Sequence, residues 1–244
     1  MNVFTITIKY VKIVFRGEIL KKAFTLVEVL ITLGIIGIVA AMTLPAVINN
    51  SRNKQLEAGL KRSYSLISQA LDMYQAETGE RICAGDIGGH QLRQILIKYF
   101  KAEHDCGSGM PNVRKCINDY ERMWYKTYNG KNNLSTGYVD DGAFVLNDGT
   151  FILLENANLT NRGGIIIISA DVNGFNKRPN RLGHDLFMFQ VDSKGKLLPM
   201  GLENTQFYDK NDTFCSISSG NPNNGAGCTY KALTDKDFFK NLPK

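Results

Sequence analysis

Residues 24–47, FTLVEVLITLGIIGIVAAMTLPAV, form the longest apolar run of the chain and contain one charge, Glu28. At 1.5 Å of rise per residue, such a run is long enough as a helix to cross a bilayer core about 30 Å thick. After Pro45 the sequence turns polar but keeps a helical period. Leu56, Leu60, Tyr64, Ile67, Leu71 and Tyr74 recur at steps of three and four, while Arg52, Lys54, Glu57, Lys61, Arg62 and Asp72 fall on other faces. One helix is therefore predicted from Phe24 to about Thr78. It is apolar all round in its first half, amphipathic in its second, interrupted only by a kink or local opening at Pro45, and stopped at Gly79. Gly34 and Gly37 within it mark either close packing or ordinary small residues of a membrane helix.

The pattern changes downstream. Residues 81–135 read as helical and loop-like, with Leu92, Ile95, Leu96, Tyr99 and Phe100 at helical spacing. From Tyr138 onward strand signals dominate. AFVLN and TFILLE flank the hairpin cue Asp148-Gly149; GIIIISAD and DLFMFQVD follow, and KLLP comes after the turn Asp192-Ser193-Lys194-Gly195. These segments predict an antiparallel sheet of four or five strands, one face of which covers the helical stripe. A short helical turn is expected over residues 235–242.

Composition refines this picture. With 43% apolar and 21% charged residues in 244, the chain is that of a folded protein. The net charge of +6 suggests a nucleic-acid partner until the charges are located. Residues 1–23 hold Lys9, Lys12, Arg16, Lys21 and Lys22 against Glu18, so the remainder carries only about +2. The excess basicity precedes the apolar run, where it holds the N-terminus on the cytoplasmic side. Lys177, Arg178 and Arg181 read as a solvated basic loop rather than a nucleic-acid surface. No nucleophile–base pair, phosphate loop or paired-carboxylate site stands out, so an enzyme is not expected.

The decisive local motif is Lys21-Lys22-Ala23 followed by Phe24-Thr25-Leu26-Val27-Glu28, the long apolar run and Pro45. It resembles the class III leader and N-terminal signature of type IV pilins and type II secretion pseudopilins. The resemblance covers roughly the first third of the chain. It implies cleavage between Ala23 and Phe24 by a prepilin peptidase, removal of the leader 1–23, and N-methylation of Phe24. Glu28 then becomes the fifth mature residue and Pro45 the twenty-second. Ala23 departs from the glycine usual before the cut, and the leader is long, with an apolar stretch of its own.

The resemblance also implies an α+β, pilin-like architecture. Residues 24–48 would form the transmembrane and filament-core half of the helix, 49–79 its amphipathic half, and 80–244 a globular head with a disulfide-bounded C-terminal loop. Implied partners are like or unlike pilin subunits, a membrane platform protein and an assembly ATPase. The implied location is the bacterial cytoplasmic membrane with an extracytoplasmic head, and then a periplasmic or surface filament. In that filament Glu28 meets the Phe24 amine of a neighbour. A carboxylate in an apolar helix is costly unless paired, so the pair sets register as much as strength. The rival expectation is a signal-anchored binding protein that does not polymerise.

Five cysteines, Cys83, Cys106, Cys116, Cys215 and Cys228, give two disulfides and one thiol if the head is exported. Cys106 and Cys116 flank a loop that a bond would close, with Cys83–Cys106 as the rival pairing. The Asn-, Gly- and Ser-rich residues 207–230 resemble the C-terminal region of pilins, implying Cys215–Cys228. Finally, Asp171, Asn173 and Asp185 surround glycine turns. They read either as turn-capping side chains or as oxygen ligands for calcium, the one candidate cofactor.

Overall fold

In the computed structural model, residues 25–243 are described, apart from 89, 110–111, 113–115, 118–124 and 158–163. The chain divides into two units, Met1–Ile48 and Asn49–Lys244. Helix α1, Leu26–Thr78, begins in the first and ends in the second. Pro45 lies inside α1 and does not end it.

In the first unit, the large apolar side chains of the described residues are all exposed, from Leu26 to Ile48. This stretch is long and apolar enough to cross a membrane. A Cβ added at Gly34 or Gly37 would meet nothing within 4 Å. A helix with an apolar surface on every side is stable only in lipid or against other apolar helices.

The second unit is built on a six-stranded antiparallel sheet with the strands in sequence order. They are β1 (Ala102–Gly107), β2 (Gly142–Leu146), β3 (Phe151–Ala157), β4 (Ile165–Asp171), β5 (Leu186–Val191) and β6 (Leu197–Pro199). Local chemistry sets the connections. Between β2 and β3, Gly149 takes φ +86° and Asp148 Oδ1 accepts from Thr150 N at 3.0 Å. Between β5 and β6, Asp192 Oδ1 accepts from Lys194 N and Lys196 N, both at 2.8 Å. Such Asx turns fix register without help from the core.

Both faces of the sheet are covered, which explains why its central strands are continuous apolar runs rather than alternating ones. On one face Leu56, Leu60, Ile67 and Leu71 of α1 share a core with Phe144, Ile152, Leu154, Ile166, Ile168, Phe187 and Phe189. Tyr64 stacks on Phe189 with ring centroids 5.6 Å apart. On the other face Phe151, Leu153, Ile167, Leu186 and Met188 pack with Tyr125, Leu134, Met200 and Phe207 from the connecting segments. Helix α1 stops at Thr78 because Gly79 adopts φ +82°, donating its N–H to Gln75 O at 2.8 Å. A short helix, α2 (Gln91–Leu96), then buries Leu92 and Leu96. It passes into a 3₁₀ turn at Ile97–Tyr99.

Two elements correct the sequence reading. Strand β1 lies within the stretch read as helical and loop-like, and it raises the sheet to six strands. Its residues AEHDCG show no apolar alternation because it is an outer strand with three consecutive exposed positions. Its register against β2 shifts twice. Near the C-terminus, helix α3 (Cys228–Thr234) starts in the last three residues of the region read as loop and runs beyond it, with Cys228, Thr229 and Ala232 buried. Thr229 Oγ1 accepts from Met188 N at 3.0 Å and ties α3 to β5. The expected helical turn near the end is a 3₁₀ turn at Phe238–Lys240.

Candidate assembly segment and the head carboxylates

The expected processing site, Ala23 and Phe24, lies outside the described residues. Immediately after it, Thr25 precedes the first helical residue and Glu28 occupies the third position of α1. Glu28 Oε2 accepts from Thr25 N at 2.8 Å and from Thr25 Oγ1 at 2.9 Å, while Glu28 N donates to Thr25 Oγ1 at 3.2 Å. This is a capping box, in which each residue satisfies a backbone donor left free by the helix start. The T-x-x-E spacing before an apolar run was visible in the sequence and was not read there. Within one chain, Glu28 therefore already has a partner. Further along, Thr32 Oγ1 donates to Glu28 O and Thr43 Oγ1 to Val39 O, so these hydroxyls are absorbed by the helix itself.

In the head, the structure brings Asp171 and Asp185 together at the start and end of the β4–β5 connection, both fully buried. Asp171 Oδ2 accepts from Tyr125 Oη at 2.6 Å, and its Oδ1 accepts from Gly174 N at 3.0 Å and Asn173 N at 3.3 Å. Asp185 accepts from Asn180 N at 2.8 Å and Arg181 N at 2.7 Å. Asn173 Nδ2 donates to Lys177 O at 3.2 Å. All three side chains thus perform the turn-organising role, holding the loop by its own backbone. Burial, and then the neighbouring Asp185 charge, push the Asp171 carboxyl well above its usual range. Burial pushes Asp185 up to about 6, against the backbone donors that favour its charged form. The same burial lowers the imidazole of His184, packed edge-on against Tyr128, to about 4.

Cys106–Cys116 and Cys215–Cys228 are disulfide-bonded, and Cys83 is a free, half-buried thiol. Burial, then the charge of Asp86, push the Cys83 thiol up, away from the reactive thiolate.

Residues 20–44 match the family model described as the prokaryotic N-terminal methylation motif. That motif is the prepilin signature of type IV pilins and pseudopilins, and here it covers the N-terminal segment alone. The matched stretch contains Ala23, Phe24, Thr25 and Glu28 and ends one residue before Pro45. No curated protein and no solved structure matches the chain. The pilin-like character of the head accordingly rests on its own architecture, a long helix against an antiparallel meander closed by a disulfide-bounded C-terminal segment.

Proposed function

We propose that this protein is a structural subunit of a type IV pilus-like or pseudopilus filament. A prepilin peptidase removes residues 1–23 and methylates Phe24. The helix over 24–48 anchors the subunit in the cytoplasmic membrane with the head outside. A platform protein and an assembly ATPase then move it into a polymer whose core is made of such helices. The observation that carries this reading is the exposure of every large apolar side chain among the described residues of the first unit, in a stretch that the methylation motif overlaps. Lipid satisfies that surface before assembly, and neighbouring helices satisfy it afterwards. Glu28 exchanges its Thr25 donors for the Phe24 amine of an adjoining subunit, so no charge is left stranded in the filament core.

The capping box favours a second reading, a membrane-anchored head that does not polymerise, because it gives Glu28 a purpose within one chain. N-terminal mass spectrometry of the protein from its host, with electron microscopy of sheared filaments, separates the two. A methylated Phe24 terminus, together with a Glu28→Leu variant that is processed but absent from filaments, supports assembly. An intact leader, or normal filaments from Glu28→Leu, refutes it.

A further inference from the structure

We infer that the head binds a divalent cation of the calcium class through the carboxylates of Asp140, Asp141 and Glu155. The site is independent of the assembly segment and of the loop around Asp171. Asp140 and Asp141 sit just before β2, and Glu155 lies on the adjacent strand β3. Antiparallel pairing sets them side by side: Gly142 is opposite Leu154, Asp141 N donates to Leu154 O at 3.1 Å, and Asn156 N donates to Asp141 Oδ2 at 2.8 Å. One carboxylate oxygen from each of the three acids lies within 4.8 Å of the other two. That separation suits oxygens sharing a single ion at the 2.3–2.6 Å typical of calcium.

An acidic cluster alone would not suffice, since solvated carboxylates often gather without an ion. Glu155 is different. It is 6% exposed, and its Oε2 is fully enclosed with no hydrogen-bond partner. Its backbone neighbours on β3, Leu154 and Asn156, are buried as well, and it pairs across the sheet with buried Ile167. An enclosed acceptor without a donor costs free energy that water would otherwise relieve. Among the described residues, no Lys or Arg pairs with any of the three acids. The cationic candidate is His90, whose Nδ1 is 3.3 Å from Asp141 Oδ1 on an exposed ring.

All-oxygen ligation selects hard cations, and the half-exposed Asp140 and Asp141 leave room for water to complete the shell. A buried acid at the centre of a strand pair would then act as an anchor, with the two more accessible acids closing over the ion.

The test is isothermal titration of the full-length protein in detergent, stripped with chelator, using CaCl₂ and separately MgCl₂. The expected result is one calcium site that binds magnesium more weakly. Calcium affinity should fall at least tenfold in Glu155→Gln and be measurably reduced in Asp140→Asn. Asp140 is on the rim, so its variant carries the test if Glu155→Gln fails to fold by circular dichroism. Absence of calcium binding in the wild type, or equal binding by both variants, overturns the assignment.

Discussion

Breaking the Cys215–Cys228 bond gives the sharpest quantitative test of how the head is held together. The bond closes a 13-residue separation. Between the two cysteines, residues 216–223 contribute nothing to the core; none of them is buried. The cysteines themselves are buried, with Cys228 fully enclosed at the start of α3. Gly183 approaches so closely that a Cβ there would lie 2.7 Å from Cys228 Sγ. The segment is therefore anchored at its ends and has little packing in its middle. Chain-entropy reasoning for a loop of this length gives a contribution of about 3 kcal/mol from the cross-link. For a body near 200 residues, where 1 kcal/mol moves Tm by about 2–4 °C, the double substitution Cys215→Ser with Cys228→Ser should lower Tm by about 6–12 °C. The assay is thermal unfolding of the full-length protein in detergent, followed by circular dichroism, with and without reductant. Reductant also opens Cys106–Cys116, so it should lower the Tm of the wild type by more than it lowers that of the variant. A variant that melts within about 2 °C of the wild type would refute the claim that the cross-link substitutes for a core in this region.

Other predictions address the remaining elements. Leu60 is fully buried between α1 and the sheet, so Leu60→Ala should cost about 2–5 kcal/mol, read as a lowered denaturant midpoint with an unchanged slope. Thr25→Ala removes the cap but keeps the Glu28 carboxylate. It should fray the helix start while filaments still form, and filament loss as complete as in Glu28→Leu would mean that the carboxylate serves only as a cap. His184 is buried and neutral, and its folded value of about 4 lies below the unfolded one. Its contribution to stability is therefore present above about pH 6.5 and is lost as pH falls through 4. NMR titration of the imidazole should show no protonation at pH 5.5, and a midpoint near 6.5 would refute the burial argument.

Much of the head was legible because its signals are local. Gly79 ends α1 where a positive φ is needed, and Asp148-Gly149 and Asp192 through Gly195 form the turns their residue types favour. The stripe from Leu56 to Leu71 faces the sheet because a 3.6-residue period can bury only one side. What escaped the sequence depends on partners distant in the chain. Strand β1 exists through pairing with the distant β2, from Ala102 opposite Leu146 to Gly107 opposite Ala143. Helix α3 is short and draws its order from Thr229 reaching β5. The grouping of Asp140 and Asp141 with Glu155 follows from strand register, which no single segment encodes. The capping box is the opposite case, since both residues were in plain view.

The outer strands of the sheet carry a further consequence. β1 presents Glu103, His104 and Asp105 to solvent and is interrupted by two register shifts, whereas β6 is only three residues long and ends in Pro199. Neither offers a straight row of free backbone donors and acceptors for a foreign strand to zip onto. In the proposed filament, where heads would crowd side by side, this protects them against amyloid-like cross-β stacking. Any ordered contact between them is left to side chains, where specificity can be written.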